Sequence, residues 1–111
     1  MNVKKENINN VLVLTIVDKD ANLSKSEQFK DLVLQEIESG SIRMIVSFKN
    51  VDYIDSSFLG ALVAILKKLV PLKGKLALSD LNSDIINLFE LTRLDKIFDL
   101  KDSLELALKE F

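Results

Sequence analysis

The chain has 111 residues, a formal net charge of −2, and no cysteine or histidine. This length predicts one domain around a single core, and the missing Cys and His exclude disulfides, thiolate chemistry, an imidazole base and the usual zinc sites. The negative charge argues against direct nucleic-acid binding, because phosphate recognition needs clustered Lys and Arg.

The N-terminal residues 1–7 lack the apolar segment of a signal peptide. The longest uninterrupted apolar run, residues 58–66, is much shorter than the ~18 residues that a membrane span needs. We therefore expect a cytoplasmic protein that makes no membrane contact.

The first predicted element is a β-hairpin followed by a helix. Asn9-Asn10 tolerates the positive φ of a tight turn, and the apolar run Val11–Val17 predicts a strand buried on both faces. A polar loop, Asp18–Leu23, then leads to Ser24-Lys25-Ser26-Glu27, which matches a helix capping box. Gly40 is expected to end this helix.

The middle of the chain predicts a strand, a polar elbow and an apolar helix. Met44–Phe48 is read as the strand, Val51–Ile54 as its continuation, and the helix is expected from about Ser57 to Val70. Between them, Asp55-Ser56-Ser57 offers oxygens to the free N–H groups of the first helical turn. The simplest interpretation of this elbow is a helix cap. The large ring of Phe58, beside these hydroxyls, has a contact role only if it lies on the surface instead of in the core.

The C-terminal third predicts two short strands and two capped helices. These are a strand at Leu76–Leu78, a helix capped by Asn82 or Ser83, a turn at Leu91–Leu94, an edge strand at Ile97–Leu100, and a helix capped by Asp102-Ser103.

The resulting order, β-β-α-β-α-β-α-β-α, predicts an α/β fold with four helices. Strands joined through helices should lie parallel, and the N-terminal hairpin should add an antiparallel edge. In such sheets the loops after the carboxyl ends of the strands share one rim. The loops Asp18–Leu23 and Asp55–Phe58 are therefore expected to meet there.

Three segments together resemble the STAS domain of bacterial anti-sigma factor antagonists. They are Tyr53-Ile54-Asp55-Ser56-Ser57 with Leu59-Gly60 and the apolar helix, Gly74-Lys75 before a strand, and Leu91-Thr92-Arg93-Leu94-Asp95-Lys96-Ile97-Phe98. The similarity covers nearly the whole chain and implies a single STAS domain over residues 1–111.

The resemblance also implies a function and its residues. Ser56 would be phosphorylated by a partner that is both a serine kinase and an anti-sigma factor, and a phosphatase of the PP2C type would reset it. The unphosphorylated form would bind the anti-sigma factor and so free a sigma factor. The implied partner-binding residues are Asp20, Asn22, Asp55, Ser57, Phe58 and Leu59. No catalytic residue, metal or cofactor is implied.

The sequence departs from the family pattern in two places. Phe58 stands where the family usually has Gly, so the ring would obstruct a partner at the elbow or contact it. The loop Asp18–Leu23 lacks the glycine of the family's loop before the first helix and is longer, which weakens this half of the implied docking surface.

Phosphorylation at Ser56 is physically sufficient as a switch. A phosphate adds about −1.5 to −2 charge, which the helix dipole favours by ~0.3–1 kcal/mol, so the fold should tolerate it. Repulsion from a carboxylate such as Asp55 amounts to about 3 kcal/mol at about 5 Å and an effective dielectric near 20. With the desolvation cost against Phe58 and Leu59, docking is expected to weaken by a factor of about one hundred or more.

Two other classes of function remain open. In the first, the chain is a scaffold or accessory STAS subunit of a signalling or lipid-transport assembly, and Ser56 only caps the helix; Phe58 favours this interpretation. In the second, an enzyme uses carboxylates near the elbow, or a magnesium ion held by carboxylates alone. The absence of His, Cys and a glycine-rich phosphate loop makes an enzyme the least supported class.

Overall fold

The computed structural model describes residues 1–111 and contains seven strands and four α-helices. The strands are β1 (Val3–Ile8), β2 (Val11–Ile16), β3 (Asp20–Ala21), β4 (Arg43–Ser47), β5 (Tyr53–Ile54), β6 (Lys75–Ser79) and β7 (Asp99–Lys101). The helices are α1 (Leu23–Glu38), α2 (Ser56–Leu69), α3 (Ser83–Leu91) and α4 (Leu104–Lys109), with 3₁₀ turns at Val70–Leu72 and Leu94–Lys96.

Five of the strands form one mixed sheet in the order β1-β2-β4-β6-β7. β1 pairs antiparallel with β2, and the other three pairings in this sheet are parallel. The turn between β1 and β2 is made by Asn9 and Asn10, with φ of 52° and 66°, as a hairpin of this type requires. The predicted α/β class, the hairpin and the mostly parallel sheet are confirmed.

The helices cover the two faces of the sheet unequally. The larger core cluster, 22 buried residues, joins one face of the sheet to α1, α2 and α3. A smaller cluster of Val11, Ile45, Ala77 and Ala107 joins the other face to α4. β2 is buried along nearly its whole length, as its apolar sequence predicts. No helix of the structure combines the length and the apolar character needed to cross a bilayer.

The predicted capping box of α1 is wrong. The helix begins at Leu23, and its cap is Asn22, two residues before the predicted cap Ser24. The Oδ1 of Asn22 accepts hydrogen bonds from the N–H of Ser24 at 3.2 Å and from its Oγ at 2.7 Å. Ser26 is buried and its hydroxyl donates to the carbonyl of Leu23. Glu27 turns outward and pairs with a lysine on the same helix, so it does not reach back to the helix terminus.

Two strand predictions also need correction. Val51–Ile54 does not continue β4; Tyr53 and Ile54 form β5, which pairs in parallel with β3 in a separate two-stranded sheet. The last strand is Asp99–Lys101, shifted from the predicted Ile97–Leu100, because Leu94–Lys96 forms a 3₁₀ turn that places Phe98 in the core. The helix caps Asn82 and Ser103 are as predicted.

Candidate partner-binding site

The two predicted rim loops do meet, through the small sheet of β3 and β5. Asp20 lies opposite Tyr53 and Ala21 opposite Ile54. The N–H of Asp55 then donates to the carbonyl of Ala21 at 3.3 Å. At the other end of the pairing, the carbonyl of Lys19 accepts from the N–H groups of Asp52 and Tyr53. Residues more than thirty positions apart in the sequence are therefore held side by side at the start of α2.

Asp55 connects these loops through its side chain. Oδ1 accepts from the N–H of Phe58 at 3.0 Å and from the hydroxyl of Ser57 at 2.6 Å, while Oδ2 accepts from the N–H of Leu23 at 3.0 Å. The hydrogen bond from Ser57 is the main cause that lowers the pKa of Asp55 below the usual aspartate value, and the backbone donors add to it against partial burial. The carboxylate is thus charged and occupied at neutral pH.

The two serines of the elbow differ in what their hydroxyls do. Ser57 is half-buried, and its hydroxyl is held by Asp55. Ser56 is exposed at the first position of α2, and its hydroxyl has no hydrogen-bond partner within residues 1–111. Of the two hydroxyls, only that of Ser56 is presented to an incoming protein without first breaking a contact.

The implied surface contacts at Phe58 and Leu59 are wrong. Phe58 is fully buried and Leu59 is 4% exposed. The ring of Phe58 stacks on Phe29, with centroids 5.0 Å apart, and meets Phe48 edge-on at 6.3 Å. The first turn of an apolar helix turns this ring into the core, so it neither obstructs Ser56 nor offers a contact.

The other two implied contact residues lie in the loop before α1. Asp20 is exposed and its carboxylate makes no hydrogen bond or ion pair, whereas the side-chain oxygen of Asn22 is already used as the helix cap. Lys25 steadies the loop by donating to the carbonyl of Asp20 at 3.0 Å and pairing with Asp18 at 3.3 Å. Asp20 is therefore the more available of the two for a partner, and a contact at Asn22 stays a prediction.

A groove of about 420 Å³ opens beside Ser56, and the sequence does not predict most of the residues that line it. It runs between β5, the start of α2 and the start of α3, and its lining residues are Asp52, Tyr53, Ile54, Asp55, Ser56, Asp84, Ile85 and Leu88. The sequence offers one signal, an aromatic residue, Tyr53, between the two acidic residues Asp52 and Asp55. It offers none for the participation of α3, because that depends on tertiary packing.

The acidic residues at this rim do not form a metal site. Within residues 1–111 there is no group of three or more Asp and Glu side chains placed to hold an ion. The chemistry that the arrangement supports is recognition: a free hydroxyl, a fixed carboxylate and an open groove at one edge of the sheet.

Comparisons with known proteins agree with this geometry. Residues 2–107 match the profile of the STAS domain family. A Thermotoga neapolitana protein described as a candidate anti-sigma factor antagonist is 30% identical over 100 residues, which cover 89% of this chain and 88% of that protein.

Solved structures extend the comparison to the fold. The crystal structure of a candidate anti-sigma factor antagonist from Thermotoga maritima superposes with a TM-score of 0.90 at 27% identity, covering 97% of this chain and 92% of the other. The Bacillus anti-sigma factor antagonist SpoIIAA shares the fold in its phosphorylated form, with a TM-score of 0.76, 17% identity and 98% of each chain covered. The chain therefore belongs to the STAS domain family, and the relatives compared with it are described as anti-sigma factor antagonists.

Proposed function

We propose that this protein is a phosphorylation-switched binding protein that docks on an anti-sigma factor with serine kinase activity and thereby frees a sigma factor. The observation that carries the proposal is the exposed, unengaged hydroxyl of Ser56 at the start of α2. Family membership supports the partner class. SpoIIAA, which shares the fold, has been solved in unphosphorylated and phosphorylated forms.

The proposed modification is an in-line phosphoryl transfer to Ser56. Its Oγ attacks the γ-phosphorus of ATP, an O–P bond forms, the bond from that phosphorus to the bridging oxygen breaks, and ADP leaves. A base of the kinase takes the hydroxyl proton. This chain supplies the acceptor oxygen and its placement, while the catalytic residues belong to the partner. The protein is accordingly a binding protein and a substrate, not an enzyme.

The folded domain is expected to tolerate the phosphate. Ser56 is the first residue of α2 and its side chain has no intramolecular role. A dianion at a helix N-terminus is favoured by ~0.3–1 kcal/mol through the dipole and the free N–H groups. The Asp55 carboxylate of the same chain repels the phosphate, but Ser56 is exposed, so water and salt screen this repulsion. Phosphorylation should therefore act on the interface and leave the domain folded.

The interface is expected to lose affinity because of where the new charge lies. Transfer requires the nucleotide phosphates of the kinase to be close to the Ser56 oxygen, so the product dianion faces the phosphates of ADP. Two like charges about 5 Å apart at an effective dielectric near 20 repel by about 3 kcal/mol. That corresponds to a loss of about one hundredfold in affinity. Desolvation against Phe58 and Leu59 is not part of this account, since both side chains are buried.

The burial of Phe58 also removes the observation that favoured a scaffold role. The ring was the reason to suspect an obstructed elbow, and in the structure it leaves Ser56 open. The same openness fits the proposed resetting step, in which a phosphatase of the PP2C type hydrolyses the phosphoserine, because its active site needs similar access to that oxygen.

The proposal is tested by mapping phosphorylation. The purified protein is incubated with ATP and each candidate serine kinase anti-sigma factor from the same genome, and then analysed by intact mass and peptide mapping. We expect one added phosphoryl group on Ser56 and none on a Ser56→Ala variant. Modification of Ser57 in place of Ser56, or none with any of these kinases, would contradict the proposal.

A further inference from the structure

We infer that the groove between β5 and α3 is a second docking point on this protein, and that it receives an arginine side chain of the partner. The inference rests on the proposed function, because it assumes that the kinase approaching Ser56 is this partner. Ser56 and Asp55 line the same groove as Asp84 and Leu88. One protein can therefore occupy the groove while it acts on the hydroxyl.

The charge of the groove is unbalanced. Asp52 and Asp84 are exposed, neither takes part in any of the ion pairs of the structure, and neither carboxylate accepts a hydrogen bond. No Lys or Arg lines the groove. Asp55 differs from these two, because its oxygens are already used by backbone and hydroxyl donors. The two free carboxylates favour a cation from outside the chain.

The remaining lining indicates a planar cation attached to an apolar stem. Tyr53 is 56% exposed. Its ring is available to stack on a guanidinium group, and carboxylates pair with guanidinium in two parallel hydrogen bonds. The half-buried Leu88 provides an apolar surface for the methylene stem or for a neighbouring apolar residue of the partner.

The walls of the groove are fixed before any partner arrives. Asn82 caps α3 by accepting from the N–H of Ile85, and its amide nitrogen donates to the carbonyls of Val51 at 3.3 Å and Asp52 at 3.1 Å. The helix that carries Asp84 is thus tied to the segment that carries Tyr53. A preformed site loses less entropy when it binds, so a single arginine contact can contribute measurable affinity.

The groove is tested first without the kinase, by NMR titration with the dipeptide acetyl-Arg-Leu-amide. We expect amide shift changes confined to residues 52–56 and 84–88, with binding in the millimolar range. The matched probe is acetyl-citrulline-Leu-amide, which has the same shape and no charge, and it is expected to bind at least fivefold more weakly. Equal binding of both probes, shifts located elsewhere, or no shifts would overturn the inference.

Two variants test whether Asp52 and Asp84 bind the arginine side chain. Asp52→Asn and Asp84→Asn keep the side-chain size and are each expected to weaken the arginine probe by about threefold or more, and to weaken binding of a kinase that phosphorylates Ser56 by roughly tenfold. Asp31→Asn, a charge removed from an exposed position of α1, is the control and should change neither value. Raised salt should weaken the wild-type complex more than the Asp84→Asn complex.

The two proposals fail separately. If no kinase modifies Ser56 but the arginine probe binds in the groove and responds to Asp84→Asn, the proposed switch is wrong and the groove stands as an arginine-binding site. If a kinase modifies Ser56, but the arginine probe does not bind and Asp52→Asn and Asp84→Asn leave kinase binding unchanged, the inference about the groove is wrong and the proposed switch stands.

Discussion

The carboxylate of Asp55 accepts a hydrogen bond at 3.0 Å from the backbone N–H of Leu23, thirty-two positions earlier in the chain. The same carboxylate caps α2 through the N–H of Phe58. One side chain therefore holds the starts of α1 and α2 together. Ser56 directly follows Asp55 and is exposed, while the hydrogen bonds of Asp55 hold the backbone next to it in place. A specific docking surface needs this combination.

Replacing Asp55 should destabilise the domain. Asp55→Ala removes the cap of α2 and leaves the N–H of Leu23 without its partner, so we expect a loss of about 2 kcal/mol in the free energy of unfolding. Urea denaturation followed by circular dichroism measures it. Asp31→Ala, at an exposed position of α1 without an ion pair, is expected to cost less than about 0.5 kcal/mol. Equal effects of the two substitutions would contradict the role assigned to Asp55.

Asp55 should also shape the acid stability of the protein. Its pKa is lowered in the folded state, chiefly by the hydroxyl of Ser57, so its stabilising contribution is complete above the ordinary aspartate pKa of about 3.9 and is lost as pH falls through the lower folded value. We expect Asp55→Asn to flatten the fall in stability between about pH 5 and pH 2.

The flattening should be partial. The pKa of Asp18 is lowered as well, mainly because the N–H of Asn2 donates to its carboxylate at 3.0 Å, and this second contribution has the same sign. Denaturant titrations at several pH values compare the wild-type protein with Asp55→Asn. An unchanged slope in Asp55→Asn would show that the carboxylate is not held as the structure has it.

Phe58 is expected to matter for folding and not for docking. Its ring is fully buried between Phe29 and Phe48, so Phe58→Ala should cost about 3–5 kcal/mol of stability. Phe58→Leu, a smaller change in volume, should leave a folded protein. We expect that variant to bind the kinase within about twofold of wild type, as measured by calorimetry once folding is verified. A loss of binding by folded Phe58→Leu would restore the surface role that the buried ring excludes.

Gly60 offers a change that separates stability from docking. It is exposed one turn after Ser56, and a Cβ there would meet no atom within 4 Å, so Gly60→Ala should stabilise α2 by about 0.5–1 kcal/mol. Residues four positions apart lie on the same face of a helix, so a longer side chain in Gly60→Gln should hinder a partner at Ser56 without unfolding the domain.

Gly74 provides the opposite control. A Cβ at Gly74 would lie 2.6 Å from the carbonyl oxygen of Ile42 and 2.7 Å from a methyl group of Leu69, so Gly74→Ala should destabilise the protein. Thermal unfolding and kinase affinity are measured for all three variants. Full affinity in Gly60→Gln would place the docking surface away from this face of α2.

The elements that the sequence predicts well are those with a local chemical cause. Asn9 and Asn10 tolerate positive φ, β2 is an apolar run, and Asn82 and Ser103 carry cap oxygens, so the hairpin, the parallel strands and two helix starts follow from short segments. The meeting of the rim loops follows from the order of strands and helices.

The features that the sequence does not predict are those where two residues can play the same local role, or where the outcome depends on contacts with distant parts of the chain. Asn22 and Ser24 can both cap α1, and the choice is made by backbone geometry that no pattern reveals. β3 and β5 have two residues each, too few for any periodicity. Because α2 is apolar around most of its circumference, its sequence does not indicate that Phe58 enters the core.

The most direct test is to compare the kinase affinities of the wild-type protein, Ser56→Ala and Ser56→Asp, each with its melting temperature. Since the hydroxyl of Ser56 has no contact within the domain, all three should melt at nearly the same temperature. We predict that Ser56→Ala binds as tightly as unphosphorylated wild type and keeps binding in the presence of ATP, while Ser56→Asp binds at least tenfold more weakly. Equal affinities for all three, with the fold intact, would contradict the account.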